Sequence, residues 1–302
     1  MKVYCQKGVP MQLHERIGTG AEGHIYTLLS RPDLLVKYYH PEYLQKNGVR
    51  IQQKVLLMCR YRSLFAGKNI SWPLMPVFDD QYRHVGYAMK RFQGHPMQLM
   101  ANKQLYAMYF PGLNRRGLLG YLTQYVELVQ MLHKHGVMIG DFNLNNVLCD
   151  PNTGTLAIVD SDSFQLRCKD QVYPCPMGSP DITPLEHHNK HFADIVRDPA
   201  SESFSLGMML FMALMLGRHP YDRVEGETRL ASLQQGLFAY GKGNSGIPPG
   251  DWYNIWSHMP YRLKTLFIVT FKPVSPIGNC YPKLKSCYMT RLTLVIAMVM
   301  KF

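Results

Sequence analysis

Asp141, Asn146 and Asp160 are the residues with which this sequence could carry out a reaction. Asn146 follows Asp141 by five positions, and a short apolar strand, Leu156-Ala157-Ile158-Val159, then delivers Asp160. A carboxylate can orient an acceptor hydroxyl or take its proton. An amide and a second carboxylate are oxygen donors of the kind that hold magnesium across phosphates. Phosphoryl transfer asks for this set, because it depends on positioning and charge stabilisation more than on covalent help. Taken alone, the same residues could instead serve turns, which Asp and Asn both favour.

A second cluster lies earlier. Gly18, Gly20 and Gly23 fall between strand-like runs at 13–17 and 24–28. Glycines there let the backbone approach phosphate oxygens and aim N–H groups at them. A lone GxGxxG also opens dinucleotide-binding helices, but the short β-rich run that follows favours a hairpin. Ile17 and Ile25 flank the turn. A third run, 34–38, carries Lys37, fourteen residues after Gly23. The alternative for Lys37 is an exposed strand lysine.

These residues need elements to position them. A helix is expected over 41–62, and strands at 72–78 and 85–89 around the polar turn Asp79-Asp80-Gln81. Helical periodicity runs over 98–109 and 115–134, where Leu118, Leu119, Leu122, Val126, Val129 and Leu132 form a core stripe. Residues 163–186 read as a loop, 203–216 as a buried helix in which methionines fill gaps, and 225–250 as a glycine-rich surface loop. His187 and His191 would share a helix face at a zinc-binding spacing, but no third ligand accompanies them. Cys168 and Cys175 read as free thiols.

In order and spacing, Lys37, Asp141, Asn146 and Asp160 resemble the protein kinase superfamily, whose catalytic loop and metal turn usually read HRDxxxxN and DFG. Ile139 and Gly140 stand in place of His and Arg, Asn143 in place of the Ser/Thr-kinase Lys, and Asp160-Ser161-Asp162 in place of DFG. The run from Ser205 to Tyr221 is similar to the central helix and exit of bacterial Hanks-type kinases, and Glu202 falls where those carry an aspartate supporting the catalytic loop. The resemblance covers residues 12–272. It implies an α+β, bilobal protein kinase-like fold, with a β-rich N-lobe at 1–92 and a mainly helical C-lobe at 93–272. The tail at 273–302 departs from it.

By the same resemblance, ATP with Mg2+ or Mn2+ would be the cofactor. Asp141 would act on the hydroxyl, Lys37 would hold the phosphates, and Asn146 and Asp160 would hold the metal. Gly18, Gly20 and Gly23 with Ile17 and Ile25 would cover the nucleotide. Met89, Arg91 and Phe92 would line its pocket and hinge. Gln53 falls nearest the position of the helix glutamate that usually pairs with the lysine. Glu186 would be the structural acid closing the activation segment, where Ser179 and Thr183 are hydroxyls open to autophosphorylation. The implied activity is transfer to Ser or Thr of a protein substrate. A pseudokinase scaffold and a small-molecule phosphotransferase are the alternatives, and the tail could serve a regulatory partner.

Composition sets outer bounds. At 302 residues with 46% hydrophobic content, there is room for a sizeable core. Seven cysteines without regular spacing suit reduced thiols. The start lacks an apolar leader, and no run is long enough to span a bilayer, so a cytoplasmic place is expected. The net charge of +12 is spread along the chain, which favours solvated surface over a nucleic-acid groove.

Overall fold

Alternation along Leu34–Tyr39 sets the frame of the first part of the chain. Leu34 and Val36 point into a core with Val3, Leu13, Leu28, Val77, Val85 and Ala88. Leu35 and Tyr39 face the opposite side, where they meet Ile51, Val55, Cys59, Tyr87 and Met89. A strand buried on both faces needs a sheet on one side and a cover on the other. The computed structural model, which describes residues 1–168, 171–223, 228–240, 246–247 and 250–271, shows both.

The strands are β1 (Lys2–Cys5), β2 (Pro10–Thr19), β3 (Gly23–Leu28), β4 (Leu34–Tyr39), β5 (Pro73–Phe78) and β6 (His84–Lys90). They close into a barrel in the order β1-β2-β3-β4-β6-β5. Closure comes from β1 pairing with β5, Tyr4 against Phe78 and Cys5 against Val77. Sequence reading did not anticipate β1, whose four residues carry no clear alternation. Helix α1 (Pro41–Arg60) covers the outer face, with Ile51, Val55, Met58 and Cys59 buried and Pro41 at its first turn.

β4 is gripped closely from both sides. A Cβ on Gly23 would lie 2.3 Å from the Tyr38 carbonyl oxygen, and one on Gly86 would lie 1.9 Å from that of Lys37. Only glycine permits these approaches, so two glycines fix the strand where Lys37 emerges.

The chain forms two compact units. Residues 1–93 with 157–162 make the first, and 94–156 with the described residues of 163–271 make the second. The second holds β7 (His95–Pro96), α2 (Lys103–Tyr109), α3 (Arg115–Lys134), β8 (Val137–Met138) and β9 (Val147–Asp150). Strand β10 (Thr155–Ile158) leads back to the first. After it come β11 (Gln165–Cys168), β12 (Gln171–Tyr173), α4 (Pro199–Leu214), α5 (Arg229–Gln234), α6 (Asp251–Ser257) and α7 (Tyr261–Phe271).

Asn114 caps α3 by accepting from the Gly117 N–H, and Asp198 with Ser201 forms a capping box on α4. Five of the six stripe residues of α3 are buried, and Leu119 is half-buried. Phe211 on α4 centres an aromatic cluster, with Tyr240 and Phe267 each 5.1 Å away between ring centres.

Two expectations change. Residues 163–186 contain the antiparallel pair β11–β12, and 225–250 contain α5 together with Phe238 and Tyr240, both buried against Phe211. The tail at 273–302, and any partner it could serve, lies outside the described residues. The architecture is mixed α/β with a barrel-rich part and seven helices among the described residues, consistent with a kinase-like fold. None of these helices is long and apolar enough to cross a membrane.

Candidate functional site

Lys37 is the centre of the first unit's polar cluster. Strand alternation puts it on the face of Leu35 and Tyr39, and its register partner across β6 is Tyr87. It is therefore buried, at 4% exposure, and a buried ammonium requires partners. It has three: Glu22 Oε2 at 2.7 Å, Asp160 Oδ1 at 2.8 Å and Asp162 Oδ1 at 2.9 Å. An ammonium carries three N–H donors, so each carboxylate takes one.

The three acids differ in their surroundings. Asp162 is fully buried and also accepts the Tyr39 hydroxyl at 2.7 Å and the Tyr87 hydroxyl at 2.8 Å. Burial opposes its charge, but Lys37 and these donors outweigh that and hold its carboxyl below the ordinary range. Glu22 lies in the tight turn between β2 and β3, where burial raises its carboxyl despite Lys37 alongside. Burial also works against the Lys37 ammonium, yet Asp162 and then Asp160 keep its pKa well above the ordinary value.

Asp160 is the exposed member, with 40% of its side chain open. Its backbone has φ +61°, a left-handed conformation that costs energy in a non-glycine residue and marks functional turns. The carboxylate oxygens of Glu22, Asp160 and Asp162 lie within 4.8 Å of one another, and such hard donors suit magnesium.

Around the glycine turn, Ile17 is exposed, and Gly18 pairs in register with the half-buried Ile25. Gly20 donates its N–H to the Gly23 carbonyl at 2.9 Å. Met89 is buried in β6, while Arg91 and Phe92 are half-buried just beyond it, and Arg91 donates its N–H to the Asp33 carbonyl.

Gln53 does not reach Lys37. It lies on the exposed face of α1, and the acids come from Glu22 and Asp162 instead. Neither was singled out from sequence. The signal for Asp162 was the doubled acid in Asp160-Ser161-Asp162, and for Glu22 an acid inside a glycine turn.

Asp141 and Asn146 belong to the second unit. Ile139, Phe142, Leu144 and Val147 are buried and anchor their loop from below. Asp141 and Asn146 are half-buried between these anchors. Asn143 caps the 3-10 turn at 144–146 by accepting the Asn145 N–H, and the Asn146 N–H bonds the Asn143 carbonyl at 3.0 Å. Glu202, buried on α4, accepts the Gly140 N–H at 2.6 Å and the Ile139 N–H at 3.0 Å, and it pairs with His133 at 2.8 Å.

Arg197 is a further residue that the sequence did not disclose. Buried near Gly140, it donates to the carbonyls of Cys175 at 3.0 Å and Met177 at 3.1 Å. A Cβ on Gly140 would sit 2.4 Å from the Cys175 Cβ and 3.4 Å from the Arg197 guanidinium carbon. A guanidinium therefore lies beside the position where kinases usually carry one, delivered by a different residue.

Other expectations give way. Glu186 is exposed and makes no ion pair among the described residues, whereas Asp181 pairs with Arg229 at 3.2 Å. His187 closes a 3-10 turn at 185–187 and His191 lies outside it, so they share no helix face. Cys168 and Cys175 form no disulfide among the described residues, as expected.

No family model matches the chain. It is similar to protein kinase YegI of Escherichia coli K12, at 23% identity over 97% of this chain and 48% of that protein. The same-named protein of E. coli O157:H7 matches at 23% over 94% of this chain and 45% of its own length. The chain thus spans about half the length of these relatives. Mouse NUAK family SNF1-like kinase 1 is 29% identical over 42% of this chain and 18% of its own. These likenesses suggest a protein kinase-like family and support a phosphotransferase function in general.

Proposed function

We propose that this chain is a protein kinase domain, which transfers the ATP γ-phosphoryl to Ser or Thr hydroxyls of a protein substrate. The observation that carries the reading is Lys37: a buried ammonium beside the glycine turn, 2.8 Å from the carboxylate of Asp160, whose backbone is held left-handed.

In this reading Lys37 binds the α- and β-phosphates, and the turn from Gly18 to Gly23 covers them with backbone N–H groups. Ile17, Ile25 and Met89 contact the base, with Arg91 and Phe92 at its edge. Asp160 and Asn146 are the residues that would hold magnesium. Asp162 is the wrong acid for that task, because Lys37 and two tyrosines already occupy its oxygens. A magnesium ion held there would supply charge stabilisation for the transferring phosphoryl group. Asp141 orients the acceptor hydroxyl and accepts its proton. Glu202 keeps the backbone before Asp141 fixed, so that this carboxylate arrives at a constant angle. YegI, named a protein kinase, supports a protein as the acceptor.

A second reading is a nucleotide-binding scaffold without transfer. The observation in its favour is that three carboxylates already take the three N–H donors of Lys37.

The test is transfer of label from γ-labelled ATP with magnesium or manganese, to the protein itself and to a generic protein acceptor, alongside Asp141→Asn and Asp160→Asn. Nucleotide affinity is measured on the same samples. Transfer that disappears in both variants supports a kinase. Nucleotide binding without transfer in the unmodified protein supports the scaffold and would sink the protein-kinase reading.

A further inference from the structure

We infer that Glu22 and Asp162 together position Lys37, replacing the acid that a helix would otherwise supply. This rests on the reading of Lys37 as the phosphate-binding residue and names what sets its place. The helix that covers β4 supplies no acid here: Gln53 is exposed, and Lys54, the next residue, is itself a buried cation. Lys37 is instead held by one carboxylate from a strand turn and one that follows β10.

Both acids are built in. Asp162 has no exposed side-chain surface, and its two oxygens are aimed by Tyr39 and Tyr87, which flank Lys37 on β4 and β6. Glu22 is 13% exposed in its side chain and is tied to the start of α1. Its carbonyl accepts the His40 N–H at 2.8 Å. The His40 ring meets the Gly20 carbonyl at 3.0 Å, which secures the tip of the same turn. The start of the helix thus acts on Lys37 at one remove, through His40 and the turn.

The exposures divide the work among the three acids. Asp160, at 40%, is the partner that can release its Lys37 N–H, which then donates to a phosphate oxygen, while Glu22 and Asp162 stay. Nucleotide then meets an ammonium whose direction is already set, with one donor to offer.

The experiment compares the unmodified protein with Glu22→Gln, Glu22→Asp, and Glu22→Gln combined with Gln53→Glu. The first readout needs no nucleotide: acetic anhydride labelling of Lys37, quantified by mass spectrometry of its peptide. The second is the KM for MgATP set against kcat. A charge-assisted hydrogen bond lost at Lys37 corresponds to a KM rise of about tenfold or more, with kcat changing less. Glu22→Gln should also raise Lys37 labelling. Glu22→Asp should recover part of both effects, and Gln53→Glu should recover neither.

Unchanged labelling in Glu22→Gln overturns the inference, as does a KM that is unchanged or falls, which would make Glu22 a competitor of phosphate. If the unmodified protein binds no nucleotide, the kinase reading fails, and the labelling series still decides how Lys37 is held.

Discussion

Glu202 accepts the backbone N–H of Gly140 at 2.6 Å, joining a buried helix to the residue just before Asp141. The same carboxylate takes the Ile139 N–H and the His133 ring, so three donors depend on one side chain with 1% exposure. Glu202→Ala would leave two backbone N–H groups buried without acceptors. At about 1–3 kcal/mol for each such group, the loss should reach several kcal/mol. A clear fall in Tm with reduced phosphoryl transfer is expected, and Glu202→Asp should keep part of both. Full activity in a stable Glu202→Ala protein would show that the loop does not depend on this anchor.

Gly140 offers a sharper test, because the kinase pattern suggests an arginine there and the structure rejects one. The residue has φ +75°, and a Cβ would lie 2.4 Å from the Cys175 Cβ. Gly140→Arg, which superficially restores the family motif, should therefore destabilise the protein by at least about 2 kcal/mol through backbone strain and overpacking. Arg197→Ala should also weaken it, by removing the donors to the Cys175 and Met177 carbonyls. Urea midpoints measure both. A Gly140→Arg protein as stable as the original would contradict the packing described.

What could be read from sequence was whatever has a local period. Helix α3 falls on 115–134 as its three- and four-residue spacing predicts, and β3 and β4 lie within a residue of the alternating runs around the glycine turn. What could not be read was pairing across the fold. Counting residues from Lys37 pointed to Gln53, because the count assumes that the helix supplies the acid. Glu22 is fifteen residues from Lys37 and Asp162 is 125 residues from it, and no spacing rule connects either to a strand lysine. Arg197 was hidden for the same reason: its partners are backbone carbonyls, which leave no mark on side-chain pattern.

Lys37→Met should not be a clean inactive control. It would leave Glu22, Asp160 and Asp162 with oxygens within 4.8 Å of one another and no ammonium among them. Breaking a buried ion pair from one side typically costs about 3–5 kcal/mol. The variant should thus be less stable at neutral pH, and the deficit should shrink on acidification as the unpaired carboxylates take up protons. Thermal unfolding of both proteins across that range tests this. An equal Tm at neutral pH would mean that the cluster relaxes without its cation.

Autophosphorylation, if it occurs in the activation segment, should avoid Thr183. Its side chain is buried at 6% exposure, and its hydroxyl donates to the Ser179 carbonyl at 2.8 Å. Ser179 hydrogen-bonds Asp181, which also pairs with Arg229, so phosphate there would meet a carboxylate at close range. Mass spectrometry after incubation with ATP should find Thr183 unmodified in folded protein. Stoichiometric phosphate on Thr183 would require this segment to open, contrary to the packing observed.

Acid sensitivity should begin with two histidines rather than with the carboxylate cluster. Burial pushes His84 down to about 4, and burial followed by Arg229 does the same for His219. A depressed histidine binds its proton in the unfolded chain first, so its contribution is full above the ordinary value of 6.5 and is lost as pH falls towards about 4. The depressed carboxyl of Asp162 loses its contribution only below the ordinary 3.8, outside that window. Each histidine could cost on the order of 3 kcal/mol across its range. His84 packs its ring 6.0 Å from both Tyr39 and Phe78, so His84→Phe keeps an aromatic in place while removing the titration. Urea midpoints at about pH 7 and about pH 5 should separate less in this variant than in the unmodified protein. If the two separations are equal, His84 is not among the groups through which acid unfolds the barrel.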